Sequence, residues 1–454
     1  MTRRQGYRFR LKPTQAEAAL LRRFVGCSRF LWNELLALNE LRHECGEKRL
    51  GFAAMCEYLV YLKGEFPFLR EVHSQPLQQT LKDLAIAYRR AFDPKLSARL
   101  PRFKKRGRLR RQGIRFPQGF AIDGSGVSLP KIGWIGFRKS REIEGTPKNV
   151  TVSCDGDHWY VTIQTEREVA EPVHASASAV GIDLGVARFA ALSDGTFIEG
   201  ANAFKKYEKR LAVYQRRMAR KVKSSANWRK ATANVSRLQR KIANLRNDML
   251  HKASTAIGKN HAVVVMEDLR IVNMTASAKG TVEEPGSNVR AKSGLNRRIL
   301  DQGWGEFRRQ LGYKLAWSGG RLLLVDPRNT SRTCSHCDHV SRGNRQTQAA
   351  FRCVACGHAA NADTNAAINI LRRAGSARIA CGDSPLPAGL QALPAGLQAQ
   401  PAGLQAQPAG LQTQPAGLQT QPAGLQTQPA GLQTQPAGLQ TQGESAKQET
   451  QRVA

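Results

Sequence analysis

The chain has 454 residues, with 70 lysines and arginines against 35 aspartates and glutamates, which gives a formal net charge of +35 at pH 7. An excess of this size is self-repulsive unless a polyanion neutralises it, so it argues against a basic protein with no dedicated partner and favours nucleic acid. No apolar run suits a signal peptide or approaches the ~20 residues of a membrane span, so we expect neither a secreted nor a membrane-spanning protein.

The N-terminal region predicts one strand followed by helices. Apolar side chains first alternate, as in an edge or barrel strand, at Tyr7, Phe9 and Leu11. From residue 13 to about residue 99 they recur instead at helical spacing. We therefore predict that residues 1–12 are the first strand of a β-barrel domain and that residues 13–100 form a helical recognition domain.

A basic connector leads into a second region of strands. Its cations cannot all find acidic partners nearby, so we assign them to nucleic-acid phosphates rather than to a merely solvated run. These cations are Arg102, Lys104, Lys105, Arg106, Arg108, Arg110 and Arg111. The next β-prone runs are separated by Asp-Gly turns at 123–124 and 155–156. Residues 101–172 are thus predicted to hold the connector and the rest of the β-barrel.

The region from 178 to 328 alternates strands and helices, which predicts an α/β domain. Its expected elements, in chain order, are a strand and hairpin over 179–198, basic helices over 203–258, a buried strand over 261–269, a loop over 279–294, one helix over 295–319 and a strand over 320–327. A cysteine-rich segment and a last helix follow.

Two Cys-x-x-Cys pairs separated by 15 residues predict a zinc site, because two such turns place four thiolates around one ion. The expected ligands are Cys334, Cys337, Cys353 and Cys356. A redox role would instead need one reactive pair in a thioredoxin-like context. Three nearby histidines could each replace a cysteine as a ligand, although four thiolates already complete the site. They are His336, His339 and His358. We predict one structural Zn²⁺ and interpret the other five of the nine cysteines as ordinary thiols.

Two acids on predicted strands are candidates for a second site. Asp183 lies in GIDLGV, where Gly181 and Gly185 share its face and leave room for a ligand; a structural or turn aspartate is the alternative. Glu267 ends the strand HAVVVME, at the mouth where α/β sites usually form, and its neighbour Asp268 is the rival.

The third candidate, Asp363, opens a short apolar helix, where the alternative role is a helix cap. Asp301 and Asp326 are spare acids, and Asp326 precedes a proline and is better interpreted as a turn residue. Three converging carboxylates repel one another unless cations lie between them, and such ligands suit Mg²⁺. We therefore predict two Mg²⁺ ions, or Mn²⁺, at Asp183, Glu267 and Asp363, and phosphodiester hydrolysis.

Several segments occur in the order of a known family. The chain resembles the OrfB-type transposon proteins, the TnpB-like nucleases, in the segments GIDLGV, MEDL, LNRRILDQGWGEFRRQLGYKLAWSGG, VDPRNTSRTCSHC, FRCVACGH and ADTNAAINIL. The N-terminal segment also resembles the helix-turn-helix with which that family begins, and it reads YRFRLKPTQAEAALLRRFVGCSRFLWNELL. The resemblance covers roughly residues 5–375.

The resemblance implies a mixed α/β multidomain protein whose RNase H-like, RuvC-type nuclease core is split by an inserted zinc ribbon. The core would comprise residues 178–328 and 361–376, and the ribbon residues 329–360. The acids that match the family's catalytic triad are Asp183, Glu267 and Asp363, which also favours Glu267 over Asp268.

The resemblance also implies partners. Family members are RNA-guided DNA endonucleases whose guide is transcribed from the transposon end and whose double-stranded DNA target lies beside a short motif. We expect a cytoplasmic, nucleoid-associated prokaryotic enzyme with no membrane partner. The alternatives are a transposase or structure-selective nuclease acting without guide RNA, and a nucleic-acid-binding regulator whose nuclease centre is idle.

Two features depart from the family pattern. Asp338 follows the first cysteine pair, where family members often have glycine. Residues 386–442 repeat PAGLQ eight times at seven-residue spacing. Each repeat carries a proline and a glycine, which break helices, so we predict disorder rather than a coiled coil. Residues 443–454 are predicted to be a disordered polar tail.

Overall fold

A computed structural model of the protein describes residues 1–105, 113–156 and 158–381. Both predicted disordered segments lie outside the described residues, as do the connector residues Arg106, Arg108, Arg110 and Arg111. The α-helices are α1 (Gln15–Glu44), α2 (Phe52–Glu65), α3 (Ser74–Ala91), α4 (Ala203–Ala219), α5 (Ala226–Asn260), α6 (Ile271–Met274), α7 (Val289–Gln302), α8 (Trp304–Ser318) and α9 (Ala362–Cys381). None of these helices has the length and apolarity that crossing a membrane requires.

The strands fall into three sheets. They are β1 (Thr2–Leu11), β2 (Gly113–Phe116), β3 (Ala121–Asp123), β4 (Gly126–Leu129), β5 (Gly133–Arg138), β6 (Thr146–Asp155), β7 (His158–Glu168), β8 (Ala179–Leu184), β9 (Ala190–Leu192), β10 (Phe197–Ile198), β11 (Val263–Glu267), β12 (Arg321–Val325), β13 (Ala350–Arg352) and β14 (Ala359–Asn361). The protein is therefore of the mixed α/β class.

Seven strands form an antiparallel sheet in the order β2-β6-β7-β1-β5-β4-β3. Strand β1 lies inside this sheet and pairs with β7 from Thr2 to Arg10. The predicted alternation of β1 is confirmed, because the side chains of Tyr7, Phe9 and Leu11 are all buried. They pack in one core with apolar side chains of β5, β6 and β7 and of helices α1 to α3.

Five strands form a mixed sheet in the order β10-β9-β8-β11-β12. Strands β8, β11 and β12 are parallel neighbours, whereas β9 and β10 fold back as antiparallel strands. The predicted turn between β9 and β10 is confirmed, and Asp194 Oδ1 accepts a hydrogen bond from the Thr196 N–H at 2.8 Å. Helices α5, α7 and α8 pack on one face of this sheet, and α9 packs on the other. A buried sheet between two helical layers therefore carries the candidate site.

The structure differs from the prediction around Gly303. The loop predicted over 279–294 ends earlier, where α7 begins, and the helix predicted over 295–319 is two helices that break at Gly303. Gly303 has a φ of +76°, which other residues rarely adopt. A Cβ there would lie 3.0 Å from Arg246 Cδ and 3.1 Å from Leu250 Cδ1. The break thus lets α5 approach closely, a tertiary contact that helical periodicity does not encode.

Candidate active site and cysteine cluster

Three carboxylates from distant parts of the sequence line one cavity of about 270 Å³. Asp183 lies on β8, and Glu267 ends the parallel strand β11. Because Ile182 and Met266 are paired in register, both acids reach the same edge of the sheet. Asp363 lies in the first turn of α9. All three side chains are half-buried, and the structure brings together the acids that the sequence singled out.

Helix α9 reaches the cavity because β8 has a glycine where the helix crosses it. A Cβ on Gly181 would lie 2.1 Å from the Ala367 carbonyl oxygen and 2.8 Å from the Leu371 backbone nitrogen. A Cβ on Gly185 would likewise lie 2.7 Å from the Arg188 carbonyl oxygen. The expectation that these glycines leave room for a ligand is therefore wrong at Gly181, where the backbone of α9 fills the space, whereas Gly185 lines the cavity. The close approach at Gly181 places the first turn of α9 beside the strand acids.

We expect Gly181→Ala to lower the free energy of unfolding by about 1–3 kcal/mol, because the added methyl group meets backbone atoms of α9 that no rotamer change can move. Chemical denaturation measures this loss. The matched control is Gly26→Ala in α1, where a Cβ would meet nothing within 4 Å. That variant is expected to gain about 0.5–1 kcal/mol, since glycine weakens a helix interior. Equal stabilities for the two variants would contradict the close approach.

Neighbouring side chains fix how the acids are presented. The Thr330 hydroxyl donates to Glu267 Oε1 at 2.5 Å. Asn361 Oδ1 accepts hydrogen bonds from the backbone N–H groups of Asp363 at 3.0 Å and Thr364 at 3.3 Å. Asn361 therefore caps α9, which is the role that the sequence left open as the alternative for Asp363. The Asp363 carboxylate lines the cavity instead.

Sequence reasoning missed Arg345, which lines the same cavity. Its guanidinium donates to Asp363 Oδ1 at 3.2 Å and to the Gln348 carbonyl oxygen at 3.0 Å. Arg345 lies between the two cysteine pairs, in a segment with no strong periodicity. No signal in the sequence distinguishes it from the many other arginines of the chain, and only the folded structure shows its position beside an acid.

The cavity has three acids against two arginines, Arg188 and Arg345. The pKa of Asp183 is raised to about 7, chiefly by burial and then by the charges of Glu267 and Asp363, against the opposing effect of Arg345. Burial also raises the pKa of Glu267, against the effect of the Thr330 hydrogen bond. Carboxylates that repel one another in a half-buried cavity are the donor set that a hard divalent cation such as Mg²⁺ prefers, so the residues present fit such an ion.

The rival acid Asp268 and the spare acid Asp326 have other partners. Asp268, the alternative to Glu267, is exposed and pairs with Arg308 at 2.6 Å. Asp326 Oδ1 accepts a hydrogen bond at 3.0 Å from the N–H of Arg328, two residues later. This bond is typical of a turn, so the interpretation of Asp326 as a turn residue is confirmed. Neither acid lines the carboxylate cavity.

The four predicted cysteine ligands form one cluster. The Sγ atoms are 3.7 Å apart for Cys334 and Cys356, and 3.6 Å apart for Cys337 and Cys353. Zinc held at ~2.3 Å by four sulfurs requires sulfur spacings of about 3.8 Å, so the cluster fits a tetrahedral Zn²⁺ site. In the described part of the chain, this is the one group of three or more His, Cys, Asp or Glu residues whose ligand atoms all lie within 4.8 Å of one another. The three carboxylates are more widely spaced.

The two cysteine turns have the same backbone hydrogen bonds. The Asp338 N–H donates to the Cys334 carbonyl oxygen and the Gly357 N–H to the Cys353 carbonyl oxygen, both at 3.0 Å. Asp338 has a φ of +58° and Gly357 a φ of +74°. The aspartate thus adopts the left-handed conformation of its glycine counterpart, which aspartate tolerates better than most residues. This departure from the family pattern leaves the turn geometry unchanged.

Helix α9 also holds the first cysteine turn. The buried Asn365 accepts a hydrogen bond from the Ser335 N–H at 2.9 Å and donates to the Thr333 carbonyl oxygen at 2.8 Å. Asn369 donates to the carbonyl oxygens of Thr330 at 2.9 Å and Thr333 at 2.7 Å. Because the same helix carries the third acid, the cysteine cluster and the carboxylate cavity share one support.

The described part of the basic connector packs on α1. Trp32 Nε1 donates to the Arg102 carbonyl oxygen at 3.1 Å, and the Asn33 amide bonds to the Lys104 backbone. The Lys104 ammonium lies 3.5 Å from the centre of the Trp32 ring, and burial lowers its pKa to about 8. Lys104 is half-buried against Trp32, whereas Arg102 and Lys105 are exposed, and the phosphate contacts of all three stay a prediction.

Models of known families match three parts of the chain. A helix-turn-helix domain matches residues 1–48, which fold as β1 and the single long helix α1. The OrfB_IS605 family, described as a probable transposase, matches residues 162–278. A Cas12f1-like TNB domain matches residues 304–370, which contain the cysteine cluster.

Whole proteins match over most of the chain. It is 51% identical over 387 residues to the "Putative RNA-guided DNA endonuclease InsQ" of Escherichia coli (strain K12), across 84% of this chain and 95% of that protein. It is 34% identical over 393 residues to a "Putative RNA-guided DNA endonuclease" of Streptomyces pristinaespiralis, across 85% and 92%. A solved Cas12f1-sgRNA-target DNA complex matches at 18% identity with a TM-score of 0.31, across 81% of this chain and 99% of that one. From its similarity to the two endonucleases, the chain belongs to the OrfB-type transposon proteins, the TnpB-like family.

Proposed function

We propose that this protein is an RNA-guided, divalent-metal-dependent DNA endonuclease of a transposable element. The observation that carries the proposal is the cavity that Asp183, Glu267 and Asp363 line together. Two relatives named as RNA-guided DNA endonucleases support a guide RNA and a DNA substrate, one of them along 95% of its length. The net charge of +35 suits two polyanionic partners.

The architecture supports a finer assignment of domains. Three antiparallel strands extended by two parallel ones, with acids at the sheet edge, suit an RNase H-like, RuvC-type nuclease core. The cysteine cluster lies in the chain between β12 and α9, as expected for an inserted zinc ribbon. The seven-stranded sheet, with α1 to α3 following its strand β1, suits the β-barrel and helical recognition domains. We assign to these two domains the guide scaffold and the motif beside the target.

The proposed ligands of two Mg²⁺ or Mn²⁺ ions are Asp183, Glu267 and Asp363. When bound, such ions activate a water and stabilise the leaving oxygen of a phosphodiester. The protein's own groups orient the ligands, since Thr330 holds one Glu267 oxygen and the cap at Asn361 leaves the Asp363 carboxylate available. Arg345, beside Asp363, is placed to neutralise a phosphate oxygen. The four cysteines would hold one Zn²⁺ with no open position, which is a structural role.

The basic connector is the proposed path for guide or target phosphates. Arg102 and Lys105 present exposed side chains, and the connector between them is held to α1 by Asn33. The same assignment is kept for Lys104 and for the connector cations outside the described part of the chain, which are Arg106, Arg108, Arg110 and Arg111. Lysine and arginine side chains that neutralise phosphates release counterions, so binding through this path would weaken steeply with salt.

The RNA that co-purifies with the protein tests the proposal. We expect it to be enriched in transcripts from the end of the element that encodes the protein, and we expect cleavage to follow the guide when its sequence is changed. A nuclease that works without RNA would cut the same sites with any guide, and an idle regulator would cut none. Cleavage that ignores the guide sequence would therefore reject the RNA-guided assignment.

We expect Mg²⁺ to raise the unfolding temperature of the RNA-free protein more at pH 8 than at pH 6. The cation binds ionised carboxylates, and with the pKa of Asp183 at about 7, protons compete with it below that pH. Without Mg²⁺, the contribution of Asp183 to protein stability falls as the pH rises towards 7. The reason is that the pKa of this carboxyl group is higher in the folded than in the unfolded protein, so ionisation costs more in the folded state. Thermal unfolding with and without MgCl₂ measures both trends. A Mg²⁺ effect independent of pH would contradict the role of Asp183.

A further inference from the structure

A second cavity, of about 540 Å³, adjoins the carboxylate cavity. The two cavities share Ala187 and Gln348 in their walls. The second cavity is formed by the segment after β8, the start of α4 and the C-terminal half of α7. Its volume is in the range of sites that bind small molecules and cofactors, roughly 300–1,000 Å³. The hydrolytic role of the three acids makes no use of this space.

Two cations of the second cavity have no carboxylate partner among the described residues. Arg297 pairs with Glu208 at 3.0 Å, so these two charges satisfy each other. Lys205 on α4 and Arg298 on α7 also line the cavity and are exposed, and neither forms an ion pair with an acid in the described ranges. Two free cations next to a phosphodiester-cleaving site suit contacts to phosphates.

The remaining acid of the second cavity is already neutralised. Asp301 is 8% exposed, pairs with Arg246 at 2.6 Å and accepts the Phe204 backbone N–H with both carboxylate oxygens, at 3.1 and 3.0 Å. This spare acid of the sequence therefore has a structural role. Its hydrogen bonds fix the first turn of α4 and, with it, the positions of Phe204 and Lys205.

The other lining residues suit a nucleobase. Phe204 and Leu295 provide aromatic and apolar surface, and Phe204 is half-buried, so its ring is partly accessible. The exposed side-chain amides of Asn202 and Gln348 provide hydrogen-bonding groups, whereas Gln302 is buried and donates to the Val186 carbonyl oxygen at 3.4 Å. An aromatic face stacks on any base, and an amide can both donate and accept, so this surface is tolerant of sequence.

We propose that the second cavity is the subsite for the nucleotide next to the scissile phosphate in the DNA strand being cut. Lys205 and Arg298 contact the phosphates of that strand, and Phe204 packs against the base. A strand with one phosphate at the three acids continues past Ala187 and Gln348 into this space. The inference rests on the proposed nuclease function and deepens it, because a tolerant subsite leaves the reading of sequence to the guide.

Charge removal tests the phosphate contacts. In the guide complex, the double variant Lys205→Gln/Arg298→Gln is expected to raise the DNA concentration for half-maximal single-turnover cleavage roughly tenfold, while the maximal rate stays within about threefold. When the logarithm of that concentration is plotted against the logarithm of the salt concentration, the slope should decrease by about 1.4. This is about 0.7 for each phosphate contact to a single strand that is lost. The matched control is Lys209→Gln/Arg290→Gln, which removes two exposed charges from the same helices outside the cavity. A double variant that behaves as the control overturns the subsite.

Crosslinking tests the base contact without turnover. In the Asp183→Asn background, a target strand with 5-iododeoxyuridine next to the cleaved position is expected to crosslink to Phe204, and Phe204→Leu is expected to remove that crosslink. A label far along the strand is the control. If the wild-type complex cleaves guided DNA but the crosslink maps outside the second cavity, the subsite fails and the proposed function stands. If the wild-type complex does not cleave at all, the proposed function fails first.

Discussion

Replacing Asp183 by asparagine is expected to slow guided DNA cleavage by at least about 10³-fold and, at the same time, to stabilise the metal-free protein at pH 8. The rate is expected to fall because a proposed ligand of the catalytic ions loses its charge, and such ions supply several kcal/mol of transition-state stabilisation. Stability rises because burial and two neighbouring carboxylates make ionised Asp183 unfavourable, as its pKa of about 7 indicates. Single-turnover cleavage and thermal unfolding measure effects of opposite sign, which a folding defect would not produce.

The matched control is Asp268→Asn, one residue from Glu267 in the sequence. Asp268 is exposed and pairs with Arg308 at 2.6 Å, so its loss is expected to cost less than about 1 kcal/mol and to leave the rate within about twofold. Glu267→Gln is expected to behave as Asp183→Asn does. If Asp183→Asn cleaves as fast as Asp268→Asn, with contaminating nuclease excluded, the three acids are not the nuclease centre.

The fold was predictable where local chemistry determines it. Alternation at Tyr7, Phe9 and Leu11 predicts β1, and the Asp-Gly turns predict the hairpins, because both signals depend on residues close together in the sequence. The division of one predicted helix into α7 and α8 was not predictable. It depends on Gly303 meeting Arg246 and Leu250 of α5, and helical periodicity carries no information about such a partner.

The same distinction applies to the site. Residue type and flanking sequence are enough to single out the four cysteines and to nominate the three acids, although the choice of Glu267 over Asp268 also needed the family resemblance. The parts that position them were missed, because each acts through a distant contact. Gly181 is a glycine because the backbone of α9 crosses it, Arg345 matters because it reaches Asp363, and Asn361 rather than Asp363 caps the helix. The contact between Lys104 and Trp32 was missed for the same reason, because Trp32 lies far away in the sequence.

Replacing Cys356 by serine is expected to release the zinc and to slow cleavage roughly 100-fold or more, although no thiolate touches the substrate. Structural zinc contributes on the order of 10–16 kcal/mol of binding free energy at pH 7. The core of this segment is small, with buried Phe351 as its one large side chain among the described residues, so metal loss is expected to unfold it. Asn365 and Asn369 then lose their carbonyl partners and Arg345 leaves the cavity, and a displacement of about 1 Å at a catalytic group costs on the order of 100-fold.

The matched control is Cys45→Ser, because Cys45 and Cys356 are both exposed and only Cys356 belongs to the cluster. Cys45→Ser is expected to keep one zinc and full cleavage. Limited proteolysis within residues 334–361 measures whether this segment is folded, and metal analysis measures its zinc content. The Mg²⁺-induced rise in unfolding temperature measures whether the carboxylate cavity still binds Mg²⁺. If the cluster served only to contact DNA, Cys356→Ser would weaken DNA binding and leave the Mg²⁺ response intact. Because α9 carries both the hydrogen bonds to the first cysteine turn and Asp363, we expect the Mg²⁺ response to be lost together with the zinc.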